Sequence, residues 1–241
     1  MFAVKMDDLL PIIAYWCDGG SVVKLLHSCK HIHSILAHPA ILVKSKARRL
    51  LLRYGIAVLY HCSLYTLANT TLVKELILLG ADIHLKDDYA LRWASRNGHR
   101  ETVKILLAAG ADVHACDDYA LQWASLNGYT EIVKSLLEAG ANVHLFNDYA
   151  LRWASTNGHA EIVEILLATG AVVHAVNDHA LRYASRNGHI ETVKVLLASG
   201  ADVHADDDYA LRTAFLYGHR ETVKMLKKTL LSCSCNRCTR T

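Results

Sequence analysis

Between Asp88 and His114 the chain carries two apolar stripes of helical period, each closed by a glycine. The first runs through Tyr89, Ala90, Leu91, Trp93 and Ala94 and stops at Asn97-Gly98. The second, Val103, Leu106 and Leu107, spaces its apolar side chains at i, i+3 and i+4 and stops at Gly110. That spacing predicts a helix over 89–96 and another over 100–109. Asp88 stands at an N-cap position, Glu101 falls in a first turn where negative charge suits the helix dipole, and each glycine supplies the left-handed residue of a helix stop. A hairpin this short cannot bury its own faces, so it must stack on neighbours. The pattern restarts at Asp118, Asp148, Asp178 and Asp208, a period of 30 residues.

Residues 1–54 follow another pattern. Pro11 sits early in the apolar segment Leu9–Trp16, where a first-turn proline costs nothing, and Asp7 or Asp8 can cap that helix. Asp18-Gly19-Gly20-Ser21 breaks it; further helices fit 22–28 and 30–37, the latter stopped by His38-Pro39, and a longer one fits 40–53 before Gly55. The prediction is an all-α chain, a helical-hairpin solenoid with a small N-terminal helical domain.

Composition narrows this picture. Of the 241 residues, 52% are hydrophobic, which excludes general disorder and supplies a core. No apolar run is long enough to span a bilayer, and acidic Asp7-Asp8 interrupts what would be a secretory leader. Seven cysteines, an odd number, point to a reducing intracellular setting, with the cytoplasm expected and the nucleus open. The net charge of +3 is uneven: residues 1–54 are basic in balance, whereas residues 84–228 carry 15 Lys and Arg against 18 Asp and Glu. The repeats are therefore poor candidates for a nucleic-acid track. Lys44, Lys46, Arg48, Arg49 and Arg53 form the densest basic run, a solvated helix face ahead of a nuclear-import or anionic-surface patch.

The repeated units resemble the ankyrin repeat. The family's pattern stands at Leu91, Ala94, Gly98, His99, Glu101, Val103, Lys104, Leu106, Leu107, Gly110, Ala111, Asp112 and Val113. Full units span 88–117, 118–147, 148–177 and 178–207; residues 58–87 align as a degenerate first unit, and 208–231, with Lys227 and Lys228 in its second helix, as a capping unit. The usual unit is 33 residues with Thr-Pro-Leu-His-x-Ala. Here three residues are missing from the β-hairpin finger, Tyr89-Ala90 replaces Thr-Pro, and Arg92 replaces the histidine. Fingertip contacts known for the family cannot be carried over. The Asp-Tyr-Ala-Leu-Arg-Trp-Ala style looks like repeats encoded in many copies by large DNA viruses of amoebae, which would make the cytoplasm that of a host cell. Within residues 1–54, Leu10-Pro11, Leu25-Leu26, Cys29-Lys30, Ile32 and Leu36 resemble an F-box. That resemblance implies docking on a Skp1-type ubiquitin-ligase adaptor through Leu10, Pro11, Ile12, Leu25 and Leu26. No Trp or Phe follows Cys29-Lys30, and a Gly-Gly breaks the link between the first two helices, so a plain helical cap is the competing reading.

Candidate chemistry is sparse. His84, His114, His144, His174 and His204 recur once per unit, but stacked helices lie roughly 8–10 Å apart and zinc–nitrogen bonds are about 2.0–2.1 Å, so this ladder cannot share a metal. Hydrogen bonds to neighbouring backbone are expected of them, and bonds to loop carbonyls between units of His99, His159, His189 and His219. Cys233, Cys235 and Cys238, in the tail 232–241, lack a fourth zinc ligand nearby and read as an oxidisable tail. No nucleophile elbow, phosphate loop or carboxylate pair appears, so neither enzyme nor cofactor is predicted. Arg92, Trp93 and Arg96 share one side of the first helix, with Gln122, Trp123, Arg152, Trp153, Arg182 and Tyr183 at equivalent positions. The ankyrin resemblance puts first helices along a concave groove, and exposed Trp and Arg anchor interfaces; rings that only fill space between units are the alternative. Two rows change chemistry from unit to unit: Arg96, Leu126, Thr156, Arg186, Leu216 and Arg100, Thr130, Ala160, Ile190, Arg220. The expectation is a monomeric protein-binding module, either a substrate adaptor of a Skp1-type ligase or a scaffold or decoy with no ubiquitin role.

Overall fold

The computed structural model describes residues 67–232 together with Lys46, Ala47 and Leu50. The adaptor candidates Leu10, Pro11, Ile12, Leu25 and Leu26 and the tail cysteines Cys233, Cys235 and Cys238 lie outside the described residues. Among these residues there are eleven helices and no strand. After α1 (Thr70–Leu78) come five hairpins: α2 (Leu85–Arg96) with α3 (Arg100–Ala108), α4 (Ala115–Leu126) with α5 (Thr130–Glu138), α6 (Leu145–Thr156) with α7 (Ala160–Ala168), α8 (Ala175–Arg186) with α9 (Ile190–Ala198), and α10 (Ala205–Leu216) with α11 (Arg220–Ser232).

The hairpins stack into two rows. Even-numbered helices from α2 to α10 pack side by side in one layer and odd-numbered helices from α1 to α11 in the other. First helices crowd their neighbours more closely than second helices do, so the array curves with the α2–α10 layer inside. One continuous core fills the space between. Leu91, Leu121, Leu151 and Leu181 come from the first helices and Leu106, Leu136, Leu166 and Leu196 from the second, each at most 1% exposed. Burying each such leucine is worth about 1.5–3 kcal/mol. Ala47, ahead of the first hairpin, is fully buried in the same cluster, and Leu50 packs against it.

The helix ends follow the glycines. Gly98 has φ +77°, and the His99 N–H reaches back to the Ala94 carbonyl at 2.9 Å, closing the first helix; Gly110 and the Ala111 N–H close the second in the same way on Leu106. Gly98, Gly128 and Gly158 also leave room for the next unit. A Cβ at these positions would meet the rings of Tyr129, His159 and His189 at 2.8, 2.6 and 2.5 Å.

The linking finger has become something the sequence did not announce. Lys86, Asp87 and Asp88 all have φ between 49° and 55°, a single left-handed turn from which right-handed helix begins at Tyr89. The other four hairpins repeat it, at Cys116–Asp118, Phe146–Asp148, Val176–Asp178 and Asp206–Asp208. Left-handed backbone costs roughly 1–2 kcal/mol per L-residue, least for Asp and Asn. Asp or Asn fills the second and third positions of all five turns. The first position varies and is exposed.

Candidate partner-binding groove

Two sets of bonds hold each left-handed turn, one from behind and one from the groove. Behind it, Asp88 does not cap its own helix. Its carboxylate is 5% exposed, takes a bond from His84 Nδ1 at 3.2 Å, and accepts the N–H of Asp112, in the loop that leads to the next hairpin, at 2.9 Å. Asp118, Asp148 and Asp178 repeat this with His114, His144 and His174 and with the N–H groups of Asn142, Val172 and Asp202, at 2.8–3.1 Å for the latter. The first set of histidines therefore pairs with carboxylates rather than with backbone, because the turn swings the aspartate under the ring. In the second set three of the four bond to carbonyls of the preceding unit: His159, His189 and His219 meet Leu126, Thr156 and Arg186 through Nε2 at 2.9–3.0 Å, whereas His99 Nε2 is buried without a hydrogen-bond partner and its ring stacks on Trp93 instead. Among the described residues no group of three or more His, Cys, Asp or Glu could hold a metal ion.

On the groove side, long side chains fold back onto the turn. Arg92 donates to the carbonyls of Asp87 at 2.7 Å and Lys86 at 2.6 Å. Gln122 donates to Asp117, Arg152 to Asn147 and Phe146, and Arg182 to Val176. Left-handed peptides aim these carbonyls at the groove, where no helix N–H can reach them, and a side chain five residues on satisfies them. Three candidate arginines thus have part of their hydrogen-bonding capacity committed to the scaffold.

The same guanidinium groups alternate with rings across units. Arg92 lies 5.5 Å from the centre of the Tyr119 ring, Arg96 4.3 Å from Trp123, Arg182 5.3 Å from Tyr209, and Arg186 5.7 and 5.4 Å from Tyr183 and Tyr217. Such contacts are worth about 0.5–1 kcal/mol each at accessible sites. Trp123 and Trp153 tilt against Tyr119 and Tyr149 at 5.5 and 5.6 Å; Trp93 stacks on His99 at 5.2 Å and packs on the core. Trp93, Trp123, Trp153 and Tyr183 are half-buried, with one edge on the stack and the other on the groove. The structure gathers Arg92, Trp93, Arg96, Gln122, Trp123, Arg152, Trp153, Arg182 and Tyr183 onto this single layer. It adds Tyr89, Tyr119, Tyr149 and Tyr209, whose recurrence at the second position of the repeat was the available signal.

One unit departs from this layer. His179 stands where the others have tyrosine and stacks on Tyr183 at 4.1 Å. Burial, together with the charges of Arg152 and Arg182, lowers its pKa to about 4. It is neutral at physiological pH, and its Nδ1 is buried without a hydrogen-bond partner.

Stacked helical hairpins with a curved inner face of rings and cations are the architecture of a helical-repeat interaction module. The family model described as ankyrin repeats in three copies matches residues 59–147 and 142–207, and the chain belongs to the ankyrin-repeat family. A comparison with curated proteins finds no match.

Proposed function

We propose that this chain binds a partner protein in the groove of its first helices and does so without covalent chemistry of its own. The observation that carries the reading is a division of labour within one layer. Arg92, Gln122, Arg152 and Arg182 hold the turns, while the neighbouring row Arg96, Leu126, Thr156, Arg186 and Leu216 changes chemistry from unit to unit on a fixed scaffold. Rings at two rotatable bonds apiece offer rigid contact area at low entropic cost, and guanidinium groups beside them offer directional bonds. A photo-crosslinking residue in place of Leu126 or Thr156 is expected to capture a partner that the same residue at Glu164, on the second-helix layer, does not. Changing Arg96 and Arg186 together to Ala should abolish that capture. Equal capture from both layers overturns the groove assignment.

The finer reading is that of a substrate adaptor. Leu10, Pro11, Ile12, Leu25 and Leu26 would dock on a Skp1-type subunit, and the groove would present a target for ubiquitylation by proximity. Its support is the F-box resemblance of residues 1–54 and the presence of a protein-binding array behind it. Purified full chain is expected to bind Skp1 in a pull-down, and a variant with Leu10, Pro11 and Leu25 changed to Ala to lose that binding while keeping the helical signal of the repeats. An intact chain that does not bind Skp1 leaves the scaffold or decoy reading in its place.

A further inference from the structure

The last hairpin ends the stack without closing it. In each inner unit a following unit covers the serine of the first helix: Ser95, Ser125, Ser155 and Ser185 are all 0% exposed. The fifth unit has Phe215 there, 74% exposed, followed by Leu216 at 75% and Tyr217 at 52%. Two neighbours mark the same missing cover. The Asp208 side chain is 45% exposed against 3–6% for its four counterparts. A Cβ on Gly218 would meet nothing within 4 Å, where those on Gly98, Gly128, Gly158 and Gly188 would strike the next unit's ring. A stacking face turned to solvent would favour serine and asparagine, as in the units before it; this one has exchanged them for Phe215 and Tyr217.

We propose that this end is a self-association surface, and that a second copy of the chain docks on it tail to tail. Three observations choose that occupant. The exposed apolar side chains of this last unit are Phe215, at the position that a following unit covers elsewhere, Tyr217 two residues on, Leu216 at the edge of the groove row and Leu231 near the end of α11. At the other end Ala47 is fully buried in the core cluster and Leu50 packs on it, so residues ahead of the first hairpin lie against the core there. Charge of both signs is exposed on this unit: Asp207 lies on the turn that opens α10, and Arg220 and Lys228 lie on α11, where Lys224 is paired with Glu221. A two-fold axis running between α10 and α11 sets each copy's acidic turn opposite its partner's basic helix, which is the condition for an isologous dimer. Apolar rings at the centre with complementary charge at the rim is the usual anatomy of such a contact. This goes beyond the groove reading, does not depend on it, and differs from the single-copy state expected from the sequence.

The test is sedimentation equilibrium of the full chain under reducing conditions, which removes disulfide cross-linking by the tail cysteines as a cause. A concentration-dependent dimer is expected. Phe215→Ser, the residue of the inner units, should raise the dimer dissociation constant at least tenfold and leave the melting temperature at low concentration unchanged. Lys228→Glu should weaken the dimer by a smaller factor that shrinks at high salt. A chain that stays monomeric at several hundred micromolar overturns the proposal. So does a dimer indifferent to both substitutions, and so does a monomer that Phe215→Ser destabilises, which would put Phe215 against the chain's own C-terminal residues.

Discussion

Asp148 and Asp208 each open the same five residues, Asp-Tyr-Ala-Leu-Arg, and the two copies live in different surroundings. Asp148 is buried, bonded to His144 and to the N–H of Val172 in the loop that leads to the next hairpin; Asp208 keeps its histidine, and among the described residues no further hairpin follows it. Leu151 is 0% exposed, whereas Leu211, at the same register, is only half-buried. In a stacked array the environment of a side chain is contributed largely by the unit that follows it, so identical local sequence gives unequal energetics. An inner unit is stabilised from both sides and the last one from a single side.

The largest expected consequence lies in the core. Leu151→Ala should cost about 3–4 kcal/mol, the transfer of a buried leucine plus the cavity it leaves in a stack closed on both sides. Leu211→Ala, next to open solvent that can fill the gap, should cost about 1–2 kcal/mol. Urea unfolding of the full chain reads both, and equal costs would mean that the last unit is covered after all.

Next comes the buried carboxylate. Asp148→Ala removes a buried carboxylate that holds both the Val172 N–H and the His144 ring, for about 2–3 kcal/mol. Asp208→Ala removes a part-buried bond to His204, with no amide partner among the described residues, so it should cost less, about 0.5–1.5 kcal/mol. The same unfolding measurement decides; a costly Asp208→Ala would break the comparison between inner and outer units.

A third prediction concerns pH and contrasts two inner units. The unfolded value of His179 is about 6.5, and its folded value is about 4. Above pH 6.5 both states are neutral and the site contributes fully. As pH falls from 6.5 toward 4 the unfolded chain takes up the proton first, so stability declines, and below 4 the loss levels off. Discounted for the partial exposure of the ring, the loss is about 1–2 kcal/mol. His179→Tyr restores the residue of the other units and should remove that component. Stability of variant and parent compared at pH 7 and pH 4.5 isolates it from the other histidines, and an unchanged pH dependence would mean that burial, aided by Arg152 and Arg182, does not hold the ring neutral.

Much of this fold was legible in the residues, and the exceptions share a cause. Helix ends set by Gly98 and Gly110, the two-layer stack and the carbonyl partners of His159, His189 and His219 follow from local pattern and a fixed period. The left-handed turn does not, because no glycine marks it. Its three residues are stabilised by a histidine four positions back, an arginine four to six positions on and an amide 24 positions on, in the loop that leads to the next hairpin. Only when these come together does a triplet such as Lys86-Asp87-Asp88 fold against its intrinsic preference. The grouping of Arg92, Trp93 and Arg96 on one face could be read from helical spacing. That Arg92 turns back onto its own backbone could not, since the carbonyls it meets are freed by that same turn.

The smallest effect sharpens the comparison within the inner units themselves. Before each turn the histidine N–H is held by the side chain two residues earlier: Asp82, Asp112, Asn142 and Asp202 accept from His84, His114, His144 and His204, all at 2.9 Å. In the fourth unit that place is taken by Val172, which is 47% exposed and has no acceptor to offer. Val172→Asp should supply the missing Asx bond to His174, fix the loop ahead of the Asp178 turn and exchange an exposed apolar side chain for a polar one. The expected gain is about 0.5–1 kcal/mol, the net worth of one local hydrogen bond. The Val172 N–H already bonds to Asp148 at 3.0 Å through backbone, and the substitution leaves that donor in place. A new carboxylate near Asp148 opposes the gain through like-charge repulsion, and added salt screens that repulsion. A stabilisation that grows with ionic strength is therefore the expected signature. Destabilisation at high salt would mean that the loop at Val172 is held by its side chain rather than by its backbone.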